Sequence, residues 1–171
     1  LISARAKPGV QDLVNADQHP RADYLELAHS LDGRIVDHQG ALTSPSAAVR
    51  WATRRLGADL GLAMEGFRQR HETSLYFTAS ESVGLPLAAL LGRTRIPHVM
   101  VVHRITLAKK RMFFKIPGLA RSIHRYLVYS STKVEKLREL GVRESQIRLI
   151  PFHADIRFFR PGVAWRYGYY V

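Results

Sequence analysis

One stretch decides the fold of this chain: Arg125–Pro161, which reads RYLVYSSTKVEKLRELGVRESQIRLIPFHADIRFFRP. The apolar, β-forming run 126–129 predicts a buried strand, and the run 147–150 predicts a second strand that ends at a proline. Between them, apolar side chains recur every three residues, which predicts an amphipathic helix, and Gly141 stands where a left-handed cap is expected. Two strands joined in this way predict parallel pairing with a right-handed crossover.

Hydroxyl side chains mark the start of this helix. Ser130, Ser131 and Thr132 follow the first strand, and Thr132 with Glu135 has the spacing of a capping box. Parallel sheets bind their ligands at the carboxyl ends of the strands. Ser130 and Ser131 are therefore candidate substrate-binding residues, although helix capping is the commoner role for such serines.

The alternation of strand and helix extends along the whole chain. Six apolar runs, which begin near residues 1, 34, 75, 97, 126 and 147, predict strands, and the stretch 23–30 between two of them predicts a helix. An N-cap serine before proline, Ser44–Pro45, predicts a long helix that reaches Gln69, in which Gly57 and Gly61 serve close packing. The predicted fold class is α/β, a Rossmann-like, doubly wound, mostly parallel six-stranded sheet.

Length and composition define the class of protein. At 171 residues the chain is about one domain, and an apolar fraction of 46% supplies an ordinary core. The lack of cysteine excludes a disulfide framework and a thiolate zinc site, and the eight histidines lack the spacing of ligands on one helix face. No apolar run approaches the roughly 20 residues of a membrane span, and the start of the chain lacks the pattern of a secretory signal. These features predict a cytoplasmic protein without a metal.

Positive charge is concentrated in one third of the chain. The formal net charge is +12, and the region from Ser82 to Val134 holds ten lysine or arginine residues and no acidic residue. Its centre mixes cations with large apolar side chains, which suits shallow insertion at an anionic membrane surface. The predicted membrane or anion patch comprises Lys109, Lys110, Arg111, Phe113, Phe114, Lys115 and Arg121. Nucleic acid is the less favoured partner, and a solvated face with both phenylalanines in the core is the plainest alternative.

Two parts of the chain resemble retaining glycosyltransferases of the GT-B fold, in the large family 4 group. The segment ESVGLPLAALLGRTRIPHVMVVH, residues 81–103, resembles that family's apolar helix, Ile-Pro pair and histidine. The opening stretch resembles the end of the family's N-terminal domain through its Gly-Val, its Ile-Pro, Asp155, Phe159 and Pro161. At 152–154 the chain reads Phe-His-Ala where Asn-Gly-Val is commoner, so the hinge contacts depart from the family pattern.

The resemblance implies a division of labour between two domains. Residues 1–161 would form the N-terminal Rossmann-like domain that binds the acceptor, and 162–171 would begin a linker to a second domain that binds the nucleotide-sugar. The implied reaction is retaining transfer of a sugar from a nucleotide-sugar to an acceptor such as a lipid or a membrane-associated glycan. No cofactor or metal is implied, because side chains and a helix N-terminus neutralise the diphosphate in such enzymes. These residues alone are then expected to be inactive.

His103 is the strongest candidate for a catalytic residue. It follows the central strand 97–102 at the edge where open α/β sheets bind ligands, and it has a counterpart in the resembled family. A neutral imidazole there can donate a hydrogen bond to a sugar hydroxyl or orient one, whereas the plain alternative is an ordinary loop histidine. The expected substrate-binding residues are Gly9, Glu81, Arg104, Ser130 and Ser131. Asp155 is expected to have a structural role at the hinge, bonding nearby N–H groups.

A second class of function fits the same sequence. A basic α/β module without catalytic activity would hold nucleic acid or another anionic partner through the region 82–134. For the glycosyltransferase, the expected location is the cytoplasm, with peripheral contact at the inner face of the membrane.

Overall fold

The computed structural model describes residues 2–3, 9–92, 94–105, 108–152 and 154–159. The strands in this part of the chain are β1 (Ile2–Ser3), β2 (Ile35–Val36), β3 (Tyr76–Thr78), β4 (His98–Val101), β5 (Arg125–Val128) and β6 (Ile147–Leu149). The helices are α1 (Val10–Asn15), α2 (Asp23–Ser30), α3 (His38–Leu42), α4 (Ala47–Arg55), α5 (Ala58–Arg68), α6 (Glu81–Leu91), α7 (Ala108–Phe113), α8 (Leu119–Ser122) and α9 (Ser131–Glu139).

The established part of the sheet is four parallel strands, β3 to β6, which lie side by side in chain order. This confirms the predicted α/β class and parallel pairing. The two-residue segments β1 and β2 also pair in parallel, in the order β2–β1–β3. Two residues each are too few to establish two further strands, so the six-stranded sheet stays a prediction.

Helices cover both faces of the sheet because the side chains of its strands alternate between them. On one face, buried Met100, Tyr126 and Val128 pack with residues of α6, α8 and α9. On the other face, Phe77 and Val101 pack against side chains of α2. None of the helices in the described ranges is long and apolar enough to cross a membrane.

The stretch that predicted the fold forms β5, α9 and β6, and Gly141 closes α9 with φ of 81°, as predicted. The predicted capping box is wrong, because the N-cap is Ser130 and not Thr132. The Ser130 side chain makes no capping hydrogen bond. Its hydroxyl is therefore not committed to capping α9.

The predicted long helix from Ser44 to Gln69 is also wrong, because the chain breaks it into α4 and α5. Gly57 has φ of 108°, which a helix cannot contain, and α4 begins after Ser46. Ser44 instead donates its hydroxyl to buried Glu65 over 2.6 Å. The predicted packing role holds for Gly61, since a Cβ there would lie 2.9 Å from the Thr53 Cα of α4.

Candidate functional site

Residues that follow β3, β4 and β5 meet at the carboxyl edge of the sheet. The group consists of Glu81 at the start of α6, His103 and Arg104 after β4, and Tyr129 and Ser130 after β5. We call these five residues the edge site. The edge site lies where open parallel sheets bind their ligands.

Glu81 is the buried anchor of the edge site. Its Oε2 accepts the backbone N–H of His103 at 2.9 Å, and its Oε1 accepts the backbone N–H of Arg104 at 2.6 Å. The ammonium of Lys110, on α7, lies 2.6 Å from the same Oε1. Only 1% of Glu81 is exposed. The carboxylate expected to bind substrate therefore holds the loop after β4, with both of its oxygens engaged.

These donors keep Glu81 ionised despite its burial. Burial raises the pKa of the carboxyl, whereas the His103 N–H, the Lys110 ammonium and the backbone N–H groups of Glu81 and Arg104 lower it. The net result is a pKa below the ordinary value. Such a set of donors meets the requirement that a buried charge be paired and hydrogen-bonded.

The imidazole of His103 is exposed and oriented from one side. Its Nε2 lies 3.0 Å from the carbonyl oxygen of Ala79, and because a carbonyl can only accept, Nε2 carries the proton in this geometry. Nδ1 is then the acceptor of the neutral ring, and within the described residues no hydrogen bond reaches it. The ring thus presents an acceptor nitrogen at the edge of the sheet.

Aromatic rings continue from His103 along the edge. The His103 ring stacks on Tyr129 with 6.0 Å between centroids, and Tyr129 meets Phe152 edge to face at 5.9 Å. Phe152 follows β6 and is 82% exposed. The residues after three neighbouring strands thus form one aromatic row.

The other predicted substrate-binding residues have different surroundings. Arg104 and Ser131 are exposed, and Ser130 is half-buried beside Tyr129. Gly9 lies at the start of α1 with φ of 69°, and none of the described contacts joins it to the edge site. The structure therefore brings Glu81 and Arg104 together with His103 and places Ser130 directly after Tyr129, which stacks on His103. The described contacts join neither Ser131 nor Gly9 to His103.

Asp155 clasps the segment after β6 to the loop before α2. Its carboxylate accepts the backbone N–H of Arg21 at 2.9 Å and that of Arg157 at 3.2 Å, and it also binds the Arg21 guanidinium. The hydrogen bond from the Arg21 side chain is the largest of the effects that lower the pKa of Asp155 to about 2. The bond to Arg157 confirms the prediction that Asp155 binds a nearby N–H, whereas the partner 134 residues away was not predicted.

The predicted membrane patch divides into exposed and inward-facing parts. Its residues lie in α7, in α8 and in the turn between the two helices, which contains Pro117 and Gly118. Phe113 and Phe114 pack against the core, as predicted by the alternative of a solvated basic face with both phenylalanines inside. The exposed members are Arg111, Lys115 and Arg121, joined by Met112 and Ile116, which are 64% and 44% exposed. The Lys110 ammonium is turned inward to Glu81, and the side chain of Lys109 lies outside the described part of the chain.

Two members of this arrangement were missed in the sequence. Lys110 was assigned to the patch, although its charge pairs with Glu81, a residue 29 positions earlier. Tyr129 was assigned only to its strand. Its position directly before Ser130 was the available signal, because a residue at the end of a parallel strand lies at the ligand-binding edge.

Within the described ranges, no group of three histidine or acidic residues could hold a metal ion. No protein-family model matches the chain, and neither a curated protein nor a solved structure matches it. The fold shown is an α/β domain with a four-stranded parallel sheet.

Proposed function

We propose that this chain is the acceptor-side domain of a retaining GT-B glycosyltransferase. The observation that carries the proposal is the state of His103, which is exposed at the carboxyl edge and held by Glu81 and Ala79. The buried carboxylate of Glu81 fixes the backbone of His103, while the imidazole is left exposed at the edge where open α/β sheets bind ligands. The resemblance of residues 81–103 and 125–161 to family 4 glycosyltransferases suggests the chemistry proposed for this histidine.

The proposed role of His103 follows from its free nitrogen. Because Nε2 already donates to Ala79, the ring is set to accept a hydrogen bond at Nδ1. His103 would therefore accept a hydrogen bond from a hydroxyl of the sugar or of the acceptor and so orient that hydroxyl for transfer. Of the two expected roles of the imidazole, to donate a hydrogen bond to a hydroxyl or to orient one, this geometry favours the second.

The surroundings of His103 suit a carbohydrate. The face of an aromatic ring is electronegative and attracts the polarised C–H groups of a sugar ring, so Tyr129 and Phe152 offer a stacking surface. Arg104, Ser130 and Ser131 supply hydrogen-bonding groups beside it. Glu81 would act indirectly, by holding the loop.

A second domain would complete the enzyme. The segment after β6 carries three exposed apolar side chains, Phe152, Ile156 and Phe159, in a region where the resembled family passes to its nucleotide-sugar domain. The Asp155 clasp would fix the direction in which the chain leaves the sheet. If β1 and β2 belong to full-length strands, residues 1–161 would form the doubly wound, Rossmann-like half of a GT-B fold.

The exposed part of the patch would place this domain on an anionic membrane surface. Arg111 and Lys115 supply positive charge, and Met112 and Ile116 are exposed beside them for shallow insertion. An acceptor attached to a lipid would then lie close to the domain that binds it. The location proposed is the cytoplasmic face of the membrane.

Loss of transfer on His103→Ala tests the proposal. The full reading frame is assayed with uridine and guanosine diphosphate sugars, and release of the nucleoside diphosphate is measured. We expect turnover from the full protein, none from residues 1–171 alone, and a kcat about 100-fold lower for His103→Ala, the scale of the loss when a reacting group is misplaced. The melting temperature should stay unchanged, because the side chain is exposed.

The matched control is His71→Ala, another exposed histidine, which lies before β3 and away from the carboxyl edge. It should retain full activity. Turnover by residues 1–171 alone, or equal kcat values for His103→Ala and the unaltered enzyme, would contradict the proposal. In the competing class, a basic binding module, no sugar nucleotide would be turned over and nucleic acid would bind in a salt-dependent way.

A further inference from the structure

We infer that Lys110 and Glu81 form a positioning pair that holds the His103 loop in its working geometry, so that Lys110 serves the edge site and not the membrane patch. The inference rests on the proposed role of His103. It adds two residues that act on the reaction through the backbone of a third.

The pair joins three elements at one point. Glu81 is the first residue of α6, its carboxylate binds two successive N–H groups of the loop after β4, and Lys110 reaches it from α7. The loop therefore has one buried ionic anchor between two helices. Because the His103 ring also donates to Ala79, just before Glu81, its backbone and its ring are fixed to the same turn.

Another buried glutamate shows what a purely local pair looks like. Glu65 is 3% exposed and binds Arg68 and Gln69 of its own helix region and Ser44 of a neighbouring turn. Those partners are side chains, and none belongs to the edge site. Glu81 differs because it binds the backbone of the residue proposed to act on the sugar.

The burial of Lys110 separates it from the other cations of its segment. Its side chain is 16% exposed and its ammonium is 2.6 Å from Glu81, whereas Arg111 is exposed. Removing one partner of a buried ion pair leaves the other charge uncompensated, so the loop should admit water or shift. Removing an exposed cation should leave the loop in place.

Amide hydrogen exchange in this chain, followed by NMR, tests the pair without any substrate. In Lys110→Met, the N–H groups of His103 and Arg104 should exchange at least about 10-fold faster than in the unaltered chain, with the N–H of Met100 in β4 as the internal reference. A change of about 10-fold corresponds to a loss of about 1.4 kcal/mol in local protection. The ¹⁵N resonance of His103 Nε2 should move from the protonated position that its bond to Ala79 imposes. Lys110→Arg should restore most of the protection, and the matched control Arg111→Met should leave all three amides unchanged.

A double-mutant cycle completes the test. After Glu81→Gln, adding Lys110→Met should change the exchange of Arg104 by less than about threefold, because the two side chains act together. If Lys110→Met does not fold, Lys110→Gln takes its place. Three outcomes would overturn the inference. The first is equal acceleration of exchange at Met100, His103 and Arg104, and the second is an effect of Arg111→Met as large as that of Lys110→Met. The third is additive effects of the two substitutions in the cycle. These readouts are independent of sugar transfer, so a failed transfer assay and a failed positioning pair are distinguishable.

Discussion

Individual buried polar residues show which contacts the fold can and cannot satisfy. Thr78 Oγ1 and His98 Nε2 lie 3.0 Å apart on the same face of the sheet, yet His98 Nδ1 finds no hydrogen-bond partner among the residues that the structure describes. His98 is 1% exposed. Burial, and to a lesser extent the nearby His124, lowers the pKa of His98 to about 3. The ring is therefore neutral in the folded protein at neutral pH.

Acid should destabilise the protein through His98 before it does so through any carboxylate. An unfolded histidine gains a proton near pH 6.5, but the folded state gains it only near pH 3, so the free energy of unfolding falls as pH falls through this window. Between pH 6.5 and 5, where carboxylates with lowered pKa values stay ionised in both states, His98 should cost about 2 kcal/mol. Urea denaturation at several pH values measures this loss.

The matched variant is His98→Asn, which keeps a hydrogen-bonding group but cannot titrate. Its stability at pH 7 should be lower, because a smaller side chain fills the site, yet its stability should hardly change between pH 6.5 and 5. Parallel pH profiles for the variant and the unaltered protein would show that another group is responsible.

At the scale of elements, local sequence patterns were sufficient to predict a strand or helix where a pattern ended together with an apolar run. The sequence predicted the first residues of β3 to β6 to within one position, and it predicted α2 without error. Pro97 directly precedes β4, and Ser130 follows β5 by two residues; the backbone preferences of such residues act locally. The helix at 44–69 failed because its apolar spacing continues through Gly57, where only the backbone angle reveals the break.

The sequence predicted where the residues of the edge site lie on the sheet, but it did not predict which side chains contact one another. The end of each parallel strand placed His103, Glu81 and Ser130 on one edge, which is a property of topology. The direction of the Glu81 carboxylate and its pairing with Lys110 depend on how the loop folds over α6, and sequence spacing does not encode that distance. Long-range side-chain partners, such as Arg21 for Asp155, were missed for the same reason.

Close contact between α6 and the sheet should make Gly84 intolerant of a side chain. A Cβ there would lie 2.4 Å from Met100 Sδ and 2.6 Å from Thr78 Oγ1, both of them buried. Gly84→Ala should therefore lower stability by about 1–3 kcal/mol, the usual cost of overpacking, despite the better helix propensity of alanine. At roughly 2–4 °C per kcal/mol, the melting temperature measured by circular dichroism should fall visibly.

Gly66→Ala is the control, because Gly66 is also a buried helical glycine but its Cβ would meet only side-chain atoms at 3.4 Å or more. It gains the same propensity without the clash, so its melting temperature should hold or rise. Similar melting temperatures for the two variants would contradict the close packing of α6 on the sheet.

At the scale of the whole molecule, the segment between β4 and β5, residues 102–124, runs from the carboxyl edge of the sheet back to its amino edge. It begins beside the edge site, where Lys110 binds Glu81, and ends where His124 leads into β5 at the opposite edge. Exposed Arg111 and Lys115 therefore lie in the stretch that starts at the proposed catalytic histidine. A membrane bound by this stretch would bring a lipid-linked acceptor towards the edge site.

Co-sedimentation with vesicles tests this arrangement. Vesicles containing phosphatidylglycerol should bind the protein, and neutral phosphatidylcholine vesicles should bind it weakly. Arg111→Ala and Lys115→Ala should each weaken binding about fivefold, or about 1 kcal/mol per cation at the surface, and rising salt should abolish the difference. Arg54→Ala, which removes an exposed cation of α4 outside the patch, should have no such effect. Equal binding to both kinds of vesicle would refute an electrostatic contact. Tighter binding to an oligonucleotide than to anionic vesicles would favour the nucleic-acid module. Both ligands are anionic, so only the geometry of the patch can make it prefer one of them.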